Sequence, residues 1–223
     1  MCGRFVQDRS LADYVDWLGS TATSGYDGVP LERYNVAPTA TVNVFQGDGD
    51  GLLISSLKWG WLPFWAKGKR PPAINARVET VSSSGFFRDA WPNRLLVPAA
   101  GWYEWVKDPK DAKRKQPYFI RLRSGEPVFF AGIGRSDEGF VILTADSMGG
   151  MVDIHDRRPI VLAPDLAREW MDPATLPERA EAIVRNEGTG VEAFEWYPVD
   201  KAVGNVRNQG EQLVLPLDRG PEW

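Results

Sequence analysis

Pro117-Tyr-Phe-Ile-Arg-Leu122, Pro127-Val-Phe-Phe-Ala-Gly-Ile133 and Phe140-Val-Ile-Leu-Thr144 follow one another with only turn signals between them. Each run is short and rich in the aromatic and β-branched residues that suit a pleated surface. They read as three consecutive strands, and that reading sets the class of the whole chain. Upstream, Thr41 to Phe45 and Leu52 towards Trp61 are extended runs on either side of the hairpin signal Gly47-Asp-Gly-Asp-Gly51. Ala73 to Glu79 also reads as extended, with Asn75, Arg77 and Glu79 on one face and Ile74, Ala76 and Val78 on the other. Leu95 opens a further extended stretch that reaches Val106. Downstream, Ile160 to Ala163 and Phe194 to Val199 complete the strands.

Helical spacing is rarer. Ser10 caps a short amphipathic segment carrying Leu11, Val15 and Leu18, with Asp13 three residues past the cap. Ser82 to Trp91, Asp165 to Met171 (entered at Pro164) and Glu178 to Asn186 are the other expected helices. Between these lie a polar loop from Gly19 to Pro30 and the turn Tyr34 to Thr39. Three further loops are expected: a Pro-bounded cationic one from Pro63 to Arg70, a charged hairpin loop from Asp108 to Lys115, and a Gly- and Met-rich one from Ser147 to Asp153. No repeat or linker interrupts the chain, so residues 1–223 are expected to form a single β-rich α+β domain.

Composition narrows the chemistry. A chain of 223 residues with 43% hydrophobic and 25% charged content has the make-up of a soluble globular protein. One cysteine excludes an internal disulfide framework, and one cysteine with one histidine excludes a self-contained zinc site. Charges at Arg4, Asp8 and Arg9 leave no apolar signal segment, and no apolar run approaches membrane-spanning length, so a cytoplasmic protein is expected. The net charge of −4 is unlike that of a nucleic-acid binder, but it is unevenly spread. Residues 58–123 hold 14 basic and 5 acidic side chains and six of the ten tryptophans. Cations interleaved with aromatic rings suit single-stranded nucleic acid, where charge follows phosphates and rings stack on bases. The same pattern also describes core tryptophans beside a solvated lysine face.

Cys2 is the lone cysteine. A free cysteine is most often a small buried apolar residue. If Met1 is removed, however, Cys2 is expected to carry an exposed α-amine and thiol on adjacent carbons. The amine condenses with an aldehyde to an imine, and the thiol closes on the imine carbon to give a five-membered thiazolidine. Proximity favours such a ring closure by roughly 7–11 kcal/mol. Glu104, between Tyr103 and Trp105, is either an exposed strand glutamate or a desolvated carboxyl able to trade protons near neutrality. His155 is the only histidine, Asn75 reads equally as a core amide, and Arg77 as an ordinary ion-pair partner.

Six ordered motifs change the balance: Met1-Cys-Gly-Arg-Phe5, Tyr34-Asn-Val-Ala-Pro-Thr39, Trp59-Gly-Trp-Leu-Pro-Phe-Trp-Ala-Lys67, Asn75-Ala-Arg-Val-Glu-Thr80, Val97-Pro-Ala-Ala-Gly-Trp-Tyr-Glu-Trp105 and Ile154-His-Asp-Arg-Arg-Pro159. Together, from Cys2 to about Pro216, the chain resembles the SRAP (SOS response-associated peptidase) family of abasic-site processing proteins. The resemblance implies barrel-like antiparallel sheets with peripheral helices and no cofactor or metal. It also implies a monomer that crosslinks to abasic sites in single-stranded DNA, with single-strand/double-strand junctions among the substrates, and that joins the nucleoid on DNA damage. Carried over motif by motif, Cys2 is the nucleophile, Asn75 orients it, Glu104 moves protons, and His155 assists sugar opening and reversal. Arg77 and Arg157 match phosphate contacts, with Arg4 and Arg158 as further candidates, and Pro38 and Trp65 match residues that wedge against or stack on bases. Arg158 departs from the family's usual methionine, Ala100 from a frequent aspartate, Leu95–Leu96 from a common cysteine and Val78 from a small residue. Other readings of an N-terminal Cys-Gly are a self-processing peptidase and a class II glutamine amidotransferase. A non-covalent single-stranded DNA binder accounts for the basic aromatic belt without chemistry at Cys2.

Overall fold

A computed structural model describes all residues except 1, 23–25, 50, 112, 219, 222 and 223. The expected removal of Met1 therefore falls outside the described residues, as do parts of the expected loops at 19–30, 47–51 and 108–115. In chain order the elements are β1 (Phe5–Gln7), α1 (Leu11–Leu18), β2 (Arg33–Val36), β3 (Thr41–Asp48), β4 (Gly51–Lys58) and β5 (Asn75–Arg77). Then come β6 (Arg94–Ala99), β7 (Gly101–Lys107), β8 (Lys115–Leu122), β9 (Val128–Arg135), β10 (Gly139–Asp146), β11 (Arg157–Pro159) and β12 (Val161–Leu162). Last are α2 (Pro164–Met171), α3 (Pro177–Asn186) and β13 (Phe194–Pro198).

The three runs between Pro117 and Thr144 are strands, but they divide between two sheets. β8 lies in a five-stranded sheet of order β13-β8-β7-β1-β2, whereas β9 and β10 belong to an eight-stranded sheet built on β11-β10-β9-β6-β3-β4. The expected extended stretch from Leu95 to Val106 is likewise two strands. It passes from the large sheet to the small one at Ala100–Gly101, where a Cβ on Gly101 would sit 2.3 Å from the Ile120 carbonyl oxygen. Neither sheet closes on itself, so the architecture is a barrel-like sandwich rather than a barrel.

Strand alternation explains the packing. Phe5 and Trp102 face inward and join Trp59, Phe130, Phe140 and Phe194 in the core between the sheets. These rings meet edge-on or tilted, with Phe5–Trp59 at 5.1 Å and Trp102–Phe194 at 5.3 Å. Val6 and Tyr103 point the other way and are covered by Val199, Val203 and Leu213 of the C-terminal segment. The helices pack on the outer face of the large sheet through Tyr14, Val15, Leu18, Trp170 and Ile183. A buried side chain of this size contributes about 1.5–3 kcal/mol, so the two faces of each sheet hold the sandwich together.

β9 and β10 splay apart, and the segment from Arg157 to Leu162 fills the gap. Its first half pairs with β10 and its second with β9, and Ile160 bonds to both Leu143 and Ala131. β5 pairs in parallel on the other edge of β10. The capping box of α1 is present, with Ser10 and Asp13 bonding each other's backbone. Two expectations change. Tyr34 to Val36 are strand rather than turn, because they pair with β1. Ser82 to Trp91 is a run of turns, not a helix: Ser84, Phe87 and Ala90 each bond three residues back, and only Trp91 bonds four back. Three successive serines followed by Gly85 supply little helix propensity. No helix among the described residues is long and apolar enough to cross a membrane.

Candidate active site

β1 is an interior strand, paired through Phe5 with Val36 on one side and Trp102 on the other. That pairing carries the residues before it to the junction between the sheets. Cys2 lies there with no solvent exposure, inside the aromatic core between the sheets. The exposed aminothiol expected from sequence is thus not what the Met1-bearing chain presents. Burial pushes the Cys2 thiol well above its usual range, and the Glu104 charge pushes it further. A thiol held neutral in this way is unreactive until its surroundings change.

Asn75 comes from the large sheet. Pairing of β5 on β10 opposes Asn75 to Ile142, and Trp59 Nε1 bonds the Ile74 carbonyl at 2.9 Å. So held, Asn75 Nδ2 donates to the Cys2 carbonyl at 2.8 Å. Its Oδ1 is buried and has no hydrogen-bond partner among the described residues. A buried amide with an open acceptor can take a donor from an incoming group without rearranging.

Glu104 comes from the small sheet. Alternation along β7 turns it inward with Trp102, leaving it 3% exposed. Burial is the largest influence on it and raises its pKa to about 7, so that it can both give and take a proton at neutral pH. His155 follows a 3₁₀ turn (Gly149–Asp153) and lines a depression with Trp105 and Val106. Its Nδ1 accepts the Arg157 N–H at 3.0 Å and also lies 2.7 Å from Asp156 Oδ1. One ring nitrogen cannot accept and donate together. Burial lowers the His155 pKa, which favours the neutral ring with Nδ1 as acceptor and the proton on Nε2. The Asp156 contact suits the protonated ring instead.

The remaining sequence candidates divide. Arg77 shares the face of Asn75 on β5, is exposed, and forms no ion pair among the described residues. Pro38 occupies the turn from Ala37 to Ala40, closed by a 3.2 Å bond and held to the large sheet by Thr39 N–H on the Trp59 carbonyl at 2.8 Å. Trp65 is 52% exposed on a 3₁₀ turn and meets Phe86 edge-on at 6.0 Å. Arg4 points to the outer face of the small sheet, bonded to Asn35 Oδ1 at 2.7 Å and the Val203 carbonyl at 2.9 Å. Arg157 is buried and bonded to Glu79, Asp146 and Thr144. A phosphate could reach it only by displacing one of these partners. Arg158, its neighbour on β11, turns to the opposite face and bonds the Thr189 carbonyl at 2.9 Å.

Arg157 therefore ties β5's extension at Glu79 to β10, and Arg157→Ala is expected to lower stability by about 2 kcal/mol. Denaturant titration checks this. Two features escaped the sequence reading. Phe64, beside Trp65, is 77% exposed, and Lys107 and Lys115 line the His155 depression. The lysines' signal was present in their cross-strand spacing, whereas nothing local marks Phe64 as more exposed than Trp65.

The family model for "SOS response associated peptidase (SRAP)" matches residues 1–206. The chain is 42% identical to "Abasic site processing protein YedK" of Escherichia coli, over 97% of this chain and 100% of that one. It is 31% identical to "Abasic site processing protein YoaM" of Bacillus subtilis, over 96% and 97%. Among solved structures, a phage-related protein from Bordetella bronchiseptica superposes with a TM-score of 0.73 at 39% identity, covering 90% of this chain and 95% of that chain.

Proposed function

This chain belongs to the SOS response associated peptidase (SRAP) family, and on that premise we propose that it processes abasic sites by linking Cys2 covalently to them in single-stranded DNA. The observation that carries this reading is the convergence of Asn75 and Glu104, one from each sheet, on Cys2. The chemistry requires Met1 to be gone. The freed α-amine attacks the aldehyde carbon of the ring-opened sugar, giving a carbinolamine. Glu104, protonated in part at neutral pH, gives a proton to the departing hydroxyl, and water leaves with formation of the imine. The thiol then adds to the imine carbon, its proton passing by way of Glu104 to the nitrogen, and the thiazolidine closes. Amine, thiol and aldehyde become ring plus one water.

Asn75 holds the Cys2 carbonyl and offers its open Oδ1 to a hydroxyl of the opened sugar. His155, with its proton on Nε2, assists opening of the sugar and reversal of the link. Arg77 contacts a phosphate beside the lesion, and Pro38 and Trp65 meet the flanking bases. The site of action is the cytoplasm, on damaged single strands of the nucleoid.

Incubation with an oligonucleotide bearing one abasic site is expected to give a stoichiometric adduct that survives denaturing electrophoresis. The undamaged oligonucleotide gives none. Intact mass should show the protein without Met1, and the adduct at the sum of protein and DNA less one water. Complexes that dissociate fully in denaturant would sink the proposal and leave the non-covalent binder in its place.

A further inference from the structure

We propose that Lys107 and Lys115, facing each other across the β7–β8 hairpin, form a clamp for the DNA backbone on the His155 side of the site. The inference rests on the reading of single-stranded DNA as the partner. The two residues are direct cross-strand partners. Both are exposed, and among the described residues neither forms an ion pair. Like charges placed directly opposite destabilise a sheet. Elsewhere the same sheet does the reverse: Arg121 opposes Glu195 across β8 and β13, with a 2.7 Å ion pair.

The hairpin's own acids do not relieve the repulsion. Asp108 is buried, accepts the Lys110 N–H at 2.8 Å and pairs with Arg114 at 3.5 Å. Asp111 accepts the Lys113 N–H at 3.0 Å. One carboxylate, Asp153, lines the depression with the lysines and pairs with neither. A phosphodiester lying between the two ammonium groups removes their repulsion and gains charge-assisted contacts. It would also lie in the depression that holds His155 and Trp105. Arg77 stands on the large sheet, two residues past Asn75, and the lysine pair on the small sheet, beginning three residues past Glu104. A single strand crossing the junction of the sheets thus meets one cationic group from each side of the lesion.

The test is the salt dependence of binding to an undamaged single-stranded thymine oligonucleotide, followed by anisotropy, for the parent protein and for Lys107→Gln/Lys115→Gln. Each phosphate contact contributes about 0.7 to the slope of log K against log salt for single strands. Loss of that one contact lowers the slope by about 0.7, so between 50 and 200 mM salt the parent loses about 2.6-fold more affinity than the variant. Lys110→Gln/Lys113→Gln removes the same charge from the hairpin tip and is expected to change the slope by less than half as much. Equal slopes for parent and clamp variant overturn the proposal, and so does an equal loss in the tip variant. The outcome is separable from the covalent chemistry. A parent that shows the slope difference yet makes no adduct with an abasic oligonucleotide refutes the crosslinking reading and keeps the clamp. A clamp variant that crosslinks with the parent's salt dependence does the opposite.

Discussion

Cys2→Ala is expected to abolish the denaturant-resistant adduct completely while leaving a folded protein. With Met1 removed, the variant still presents an α-amine, so it can form an imine with the abasic aldehyde. Without the sulfur that imine has no second nucleophile to close on it, and water reverses it. Ring closure is the step that proximity favours, by roughly 7–11 kcal/mol, and it is the step that the substitution deletes. Borohydride, which reduces an imine, should therefore trap DNA on the variant and have little effect on the yield with the parent protein. Removing a buried sulfur costs about 1–2 kcal/mol of stability, which a thermal melt distinguishes from unfolding. A variant adduct that survives denaturation without borohydride would mean that the sulfur is not the second bond.

Glu104→Gln should slow adduct formation by roughly 10²–10⁴-fold, the range lost when a positioned acid–base group is removed. The same substitution should leave a thermodynamic trace. Burial raises the Glu104 pKa from 4.5 to about 7, so the folded chain keeps this proton in a window where the unfolded chain has released it. Stability of the parent accordingly falls as pH rises from about 4.5 to 7 and then levels off. Glutamine does not titrate, so the variant gains on the parent across that window, by on the order of 3 kcal/mol. Denaturant unfolding at pH 5 and pH 8 measures it. A constant difference between the two proteins would place Glu104 in water, contrary to its burial on the inward face of β7.

Much of this was legible in the sequence, and the exceptions are physical. The strands were visible wherever aromatic and β-branched residues cluster, as from Pro117 to Thr144, because local propensity and burial agree there. Their division between two sheets was not, since the crossing at Gly101 depends on the approach of Ile120 rather than on any local pattern. Ser82 to Trp91 carries apolar residues at helical intervals, but its serines and Gly85 let turns prevail. At the site, Asn75 and Glu104 could be singled out by type and neighbours, and the structure brings both to Cys2. The arginines were harder. Arg77 and Arg157 look alike in sequence, yet one is free in solvent and the other is enclosed by Glu79 and Asp146. Chain alternation alone cannot say that a carboxylate from another strand is waiting.

The interior position of β1 has a consequence for timing. Its neighbour β7 begins at Gly101, so about a hundred residues must be translated before the first strand can be enclosed on both sides. At ribosomal speeds of roughly 5–20 residues per second, the edge of β1 that β7 will cover stays open for about 5–20 s. Any enzyme that trims methionine from outside has that interval to act, and afterwards it faces a second residue shut away from solvent.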